Sequence, residues 1–125
     1  MIMLHMHLRE SRKRKSEFTV KFAVMVVFKT LNSEVMVFER ELRAHAENTW
    51  SETGALKFIV YVDEIDPSIF YLYELYENRN EFEKHTQTDY IEVFKNNVTP
   101  LLREPAQIFR GIPLISEPKS EKGAI

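Results

Sequence analysis

The chain has 125 residues, enough for one compact domain and too few for two. Hydrophobic residues make up 44% and charged residues 29%, a globular composition that excludes wholesale disorder and fibrous repeats. The lack of Cys excludes disulfides, thiolate nucleophiles and Cys-ligated metal centres, and fits a reducing compartment. The net charge of -2 is uneven. Residues 1–17 carry five cations against two anions, a balance of +3, which leaves -5 for the other 108 residues. A domain-wide phosphate-binding surface is therefore not expected. The basic run Arg9 to Lys15 holds no ring to stack on a base, so it reads as a solvated extension before it reads as a nucleic-acid arm. Met1 to Leu8 is apolar but interrupted by His5 and His7 and followed by charge, the reverse of a secretory signal. No stretch nears the ~20 apolar residues of a membrane helix. A cytoplasmic address is expected, with a basic extension over 1–17, a domain over 18–114 and a flexible tail over 115–125.

Phe18 to Lys29 alternates large apolar residues with a second, also apolar, set from Ala23 to Val27, which predicts a strand covered on both faces. Asn32 or Ser33 is expected to cap a helix over 34–52, on which Val35, Phe38, Leu42, His45, Ala46 and Thr49 share a stripe. Gly54 ends it. Ala55–Val62 and Ile69–Tyr76 form a hairpin around the turn residues Asp66, Pro67 and Ser68. Asn78 and Glu81 have capping-box spacing and open a short helix bearing Phe82 and His85. Thr88 is expected to cap a second, with Tyr90, Phe94, Asn97 and Leu101 on one face, and Ala106 to Ile112 reads as a last strand. The order is a ferredoxin-like βαββαβ unit, an α+β fold with an antiparallel sheet. Its helices cover one sheet face, so the other is expected to meet a second copy in a homodimer.

Glycine-rich phosphate loops, GxSxG and HExxH are all absent, which excludes Rossmann, P-loop and standard hydrolase or zincin chemistry. His45, Glu74 and His85 are polar where apolar residues are expected. A His with a carboxylate is a competent proton-transfer pair, because burial moves both pKa values toward the working range. Each also has a structural reading: a satisfied core histidine, or a carboxyl bonded to backbone or tyrosine hydroxyls. No metal site is expected.

Phe70-Tyr71-x-Tyr73-Glu74-x-Tyr76, followed by Phe82-x-x-His85, Thr88 and Tyr90, resembles the hallmark segment of the antibiotic biosynthesis monooxygenase family. Thr49-x-x-Glu52-x-Gly54-x-Leu56-x-Phe58 is similar to the end of that family's first helix and the start of its second strand. Phe109-x-Gly111-x-Pro113 resembles the ending of the subgroup that processes phosphorylated autoinducer-2. The resemblance spans 18–114 and implies a dimeric α+β barrel with a pocket between sheet and helices in each subunit. Val26, His85 and Phe94 stand where the family's haem-degrading branch has Asn, Trp and a haem-ligating His, which argues against that branch. His45 and Thr49 stand where the autoinducer-like subgroup often has Asn and Ser, and Asp89 where a Pro is common.

The resemblance implies a cofactor-independent monooxygenase acting on a quinol or phenol-like substrate. The alternatives are an isomerase of phosphorylated autoinducer-2 or a similar hydroxyketone, and a non-catalytic dimer that binds a small ligand. His85 and Glu74 are the expected proton-transfer pair. His45 and Thr49 are expected to orient the substrate, and Tyr73, Tyr90 and Phe109 to line its pocket. No cofactor and no membrane or nucleic-acid partner is expected.

Overall fold

A computed structural model describes residues 20–118. The basic extension, Phe18, and the last seven residues of the tail lie outside it. The order is β1 (Phe22–Lys29), a 3-10 turn (Asn32–Glu34), α1 (Val35–Trp50), β2 (Ala55–Val62), β3 (Ile69–Tyr76), α2 (Arg79–Thr86), α3 (Asp89–Val98), a 3-10 turn (Thr99–Leu101) and β4 (Gln107–Gly111). The four strands form one antiparallel sheet in the order β2-β3-β1-β4. This is the expected ferredoxin-like α+β architecture, in which helices have only one sheet face to cover.

Register decides which side chains share that face. Val24 lies opposite Glu74 on β3 and opposite Arg110 on β4, and Glu74 lies opposite Phe58 on β2. One level of the inner face therefore reads Phe58, Glu74, Val24, Arg110 from edge to edge. The core fills the space above it: Phe22, Val24, Val26 and Phe28 from β1 pack with Phe38 and Leu42 of α1 and with Phe94 and Val98 of α3. On the opposite face Met25 stands level with Tyr73, Ile59 and Phe109, and no described helix covers them.

Local chemistry departs from expectation at the helix starts. Neither Asn32 nor Ser33 caps α1 with its side chain, because a 3-10 turn leads into the helix from Leu31. Asn78 does cap α2, accepting from the Glu81 N–H at 3.0 Å. Thr88 occupies the cap position of α3, but its hydroxyl donates back to the His85 carbonyl at 2.9 Å and so ties the two helices together. On α3, Phe94 and Val98 take the buried face; Asn97 is exposed and donates to Glu41 instead. The last strand is shorter than expected, Gln107–Gly111.

Gly54 is required by a close approach. The backbone of the turn after α1 passes so near α2 that a Cβ on Gly54 would sit 2.6 Å from the Cβ of Glu81. Gly54→Ala is expected to cost about 1–3 kcal/mol through overpacking, read as a lower urea midpoint. Gly111→Ala, where a Cβ meets nothing within 4 Å, is the control and should change stability by no more than about 0.5 kcal/mol.

Candidate active site

His45, Glu74 and His85 line one cavity of about 310 Å³ between the inner sheet face and the helices. Most of its wall is apolar, supplied by Val26, Leu72, Phe82, Ile91, Phe94 and Ile108. A larger open groove of about 610 Å³ runs between α1 and the edge strand β2, but it holds no His, and its charged pair, Glu39 and Arg43, is engaged across one helical turn at 3.5 Å. The acid–base groups lie in the smaller cavity.

His85 is 1% exposed, and its ring faces the pocket from the last turn of α2. Its Nδ1 lies 2.7 Å from Oε2 of Glu52, so the carboxylate holds the proton on Nδ1 and leaves Nε2 as the basic nitrogen. The Tyr90 hydroxyl donates to the same Glu52 oxygen. Glu52 is positioned by the turn that ends α1: its N–H bonds to the Thr49 carbonyl at 3.0 Å, and Gly54 accepts from Glu77 at the end of β3. His85 thus has a carboxylate partner, and it is Glu52.

Glu74, the expected partner, is occupied otherwise. Its Oε1 accepts the Tyr76 hydroxyl at 2.6 Å, the tyrosine bond anticipated as its structural reading. Burial raises the Glu74 pKa, opposed by the Tyr76 bond and by the charge of His85. Burial together with the Glu74 charge also pushes the Tyr76 hydroxyl upward, so it stays a donor.

His45 comes from the buried stripe of α1 and stacks on Phe94, with ring centres 4.2 Å apart and planes 13° from parallel. Its ring centre lies 5.4 Å from that of His85. Its Nδ1 is buried with no hydrogen-bond partner among the described residues. Burial first and the neighbouring His85 second lower its pKa from 6.5 to about 4, so at neutral pH it is an uncharged ring. On unfolding, His45 takes up a proton between these two values. Its contribution to stability is full above pH 6.5 and is lost as pH falls toward 4, by about 1.4 kcal/mol per unit at the steepest. Glu74 acts in the opposite sense, since its raised pKa favours the folded state less as pH rises above its ordinary 4.5. The urea midpoint at pH 7 minus that at pH 5 should therefore be smaller in His45→Gln than in the unmodified protein.

The other expected residues lie outside the cavity wall. Tyr90 reaches the site through Glu52, and its ring sits 5.9 Å from His45. The Thr49 hydroxyl is spent on the His45 carbonyl at 2.9 Å, where it fixes the helix backbone behind the histidine. Tyr73 and Phe109 alternate with inner-face residues and so point to the opposite side of the sheet. No pocket-lining role follows for either within one chain. Among the described residues no group of three His, Asp or Glu side chains is arranged to hold a metal ion.

Residues 21–97 match the antibiotic biosynthesis monooxygenase family. The chain belongs to this family. The matched segment runs from the start of β1 into the last turn of α3, so His45, Glu52, Glu74, His85 and Tyr90 of this antibiotic biosynthesis monooxygenase family member all fall within it. The fold is shared with a Nitrosomonas europaea protein bearing the family's name (TM-score 0.72, 22% identity, covering 75% of this chain and 90% of that one). It is also shared with a Mycobacterium tuberculosis protein (TM-score 0.73, 22% identity, 77% and 97%). An uncharacterised Synechocystis protein is 34% identical over 62 residues, which make up 50% of this chain and 42% of that protein. The chain thus spans less than half the length of that relative. No described helix of this family member is long and apolar enough to cross a membrane.

Proposed function

We propose that this protein is a small-molecule enzyme that oxidises a phenol or quinol-like substrate with molecular oxygen, using acid–base groups of its own chain. The observation that supports this reading is the His85–Glu52 pair in the wall of a mostly apolar cavity. Nε2 of His85 takes a phenolic proton, and the anion delocalises its charge onto a ring carbon. Oxygen adds at that carbon, forming a C–O bond, and the resulting hydroperoxide loses water to leave a carbonyl. The substrate supplies all four electrons, one oxygen atom ends in product and the other in water. Apolar walls keep bulk water from the intermediate, and the neutral His45 supplies a hydrogen bond rather than a competing charge.

A second reading, isomerisation of a hydroxyketone, draws on the two imidazoles with ring centres 5.4 Å apart, which offer a base and a proton return on one substrate. Oxygen uptake and product mass, recorded with quinols, phenols and phosphorylated hydroxyketones, separate the readings. Uptake with a product heavier in oxygen supports the monooxygenase; a product of unchanged mass supports the isomerase. Ligand capture without turnover marks a binding dimer and defeats both.

The uncovered sheet face supports a homodimer. Met25, Ile59, Tyr73 and Phe109 form a nearly continuous apolar row across all four strands, a surface that a second copy would remove from water. Light scattering at micromolar concentration should give twice the chain mass, and the monomer mass would refute it.

A further inference from the structure

Two cations lie in the cavity wall without any part in the proton chemistry. By the register of β4, Arg110 stands on the cavity side of the sheet, level with Val24; its side chain is exposed to solvent and its guanidinium carbon lies 5.3 Å from the ring centre of Phe82. Lys95, also exposed, follows Phe94 on α3 and lines the rim of the same cavity from the helix side. Like Lys21, Arg40, Lys57 and Arg79, neither is within salt-bridge distance of a carboxylate among the described residues, but these two line the cavity. Glu74 is the nearest acid along Arg110's level of the sheet, two strand positions away, or roughly 10 Å at the usual strand spacing. An unpaired guanidinium held against a ring beside an apolar cavity is arranged to receive an anion, since its flat fork matches carboxylate and phosphate oxygens.

We propose that the ligand of this cavity carries an anionic group, a carboxylate or a phosphate, which Arg110 binds in bidentate fashion and Lys95 supports from the helix side. This rests on the cavity being the substrate site and adds to that reading the class of substrate. The apolar wall then takes the ring, His45 and His85 take its hydroxyl end, and Arg110 takes the acidic end.

Calorimetry under argon with three single-ring probes tests this: 1,4-dihydroxybenzene, 2,5-dihydroxybenzoate and 4-hydroxyphenyl phosphate. Both anions should bind at least about tenfold more tightly than the neutral quinol, the usual scale of a charge-assisted pair. Which anion binds more tightly identifies the natural group as carboxylate or phosphate. The preference should shrink in Arg110→Gln and, less, in Lys95→Gln, with melting temperatures confirming that both variants fold. Raising salt should weaken the anions only. Equal binding of all three probes, or a preference unchanged in Arg110→Gln, overturns the proposal while leaving the cavity as the substrate site. No binding of any probe at millimolar concentration overturns both.

Discussion

His85→Ala is expected to lower turnover by about 100-fold or more, the usual scale for losing a general base, while leaving the melting temperature close to that of the unmodified protein. The ring is buried at the end of α2 beside Tyr76, Phe82 and Tyr90, but it borders the cavity, so truncation enlarges an existing space rather than opening a new one. Glu52→Gln tests the same unit from the other side. Glutamine keeps the size of the side chain but removes the charge that holds the proton on Nδ1, so Nε2 loses its assurance of being the free base. A fall of about 10- to 100-fold in turnover is expected, with folding retained. Full activity in His85→Ala would remove the dyad from the mechanism. Activity lost together with the folded state would return His85 to a structural role.

Phe38→Ala should produce the largest loss of stability, about 3–5 kcal/mol. The side chain is fully buried, with its ring centre 5.1 Å from that of Phe28 and 5.0 Å from that of Phe70. It is the residue through which α1 grips both central strands. Against a total of about 5–15 kcal/mol for a domain of this size, the variant loses about a third or more of the typical mid-range stability. Urea titration followed by circular dichroism measures it. A cost below about 1 kcal/mol would mean that α1 does not rest on the sheet through this ring.

Most of the fold was legible because its periodicities are strong. Ala55–Val62 and Ile69–Tyr76 match the expected strands residue for residue, and the stripe from Phe38 to Thr49 is the buried face of α1. The helix caps were less legible, since Asn32, Ser33 and Thr88 are each chemically able to cap and the chain path gives their side chains other work or none. Within the site, the polar residues out of place on apolar faces, His45, Glu74 and His85, do meet in one cavity. The pairing between them was not readable. Glu74 sits on the strand next to a tyrosine that satisfies it, whereas Glu52 lies 33 residues before His85 and reaches it only through the turn at Gly54. One signal pointed to Glu52: it follows His45 and Thr49 at spacings of seven and three, continuing their helical face two residues past the end of α1. Tyr73 and Phe109 lie on the sheet face away from the cavity, and strands that are apolar on both faces offer no polar alternation to say which side is the pocket.

The sheet level that runs Phe58, Glu74, Val24, Arg110 has a consequence for selectivity. An acid near one edge and a guanidinium at the other give the cavity a polarity across its floor, so a two-ended ligand has one resting orientation. Under the proposed oxidation the same hydroxyl would meet His85 in every turnover, and a single regioisomer is the expected product. That selectivity is written in strand register. A slip of one residue in β4 would turn Arg110 outward and Phe109 inward, exchanging the charged end of the cavity for a ring.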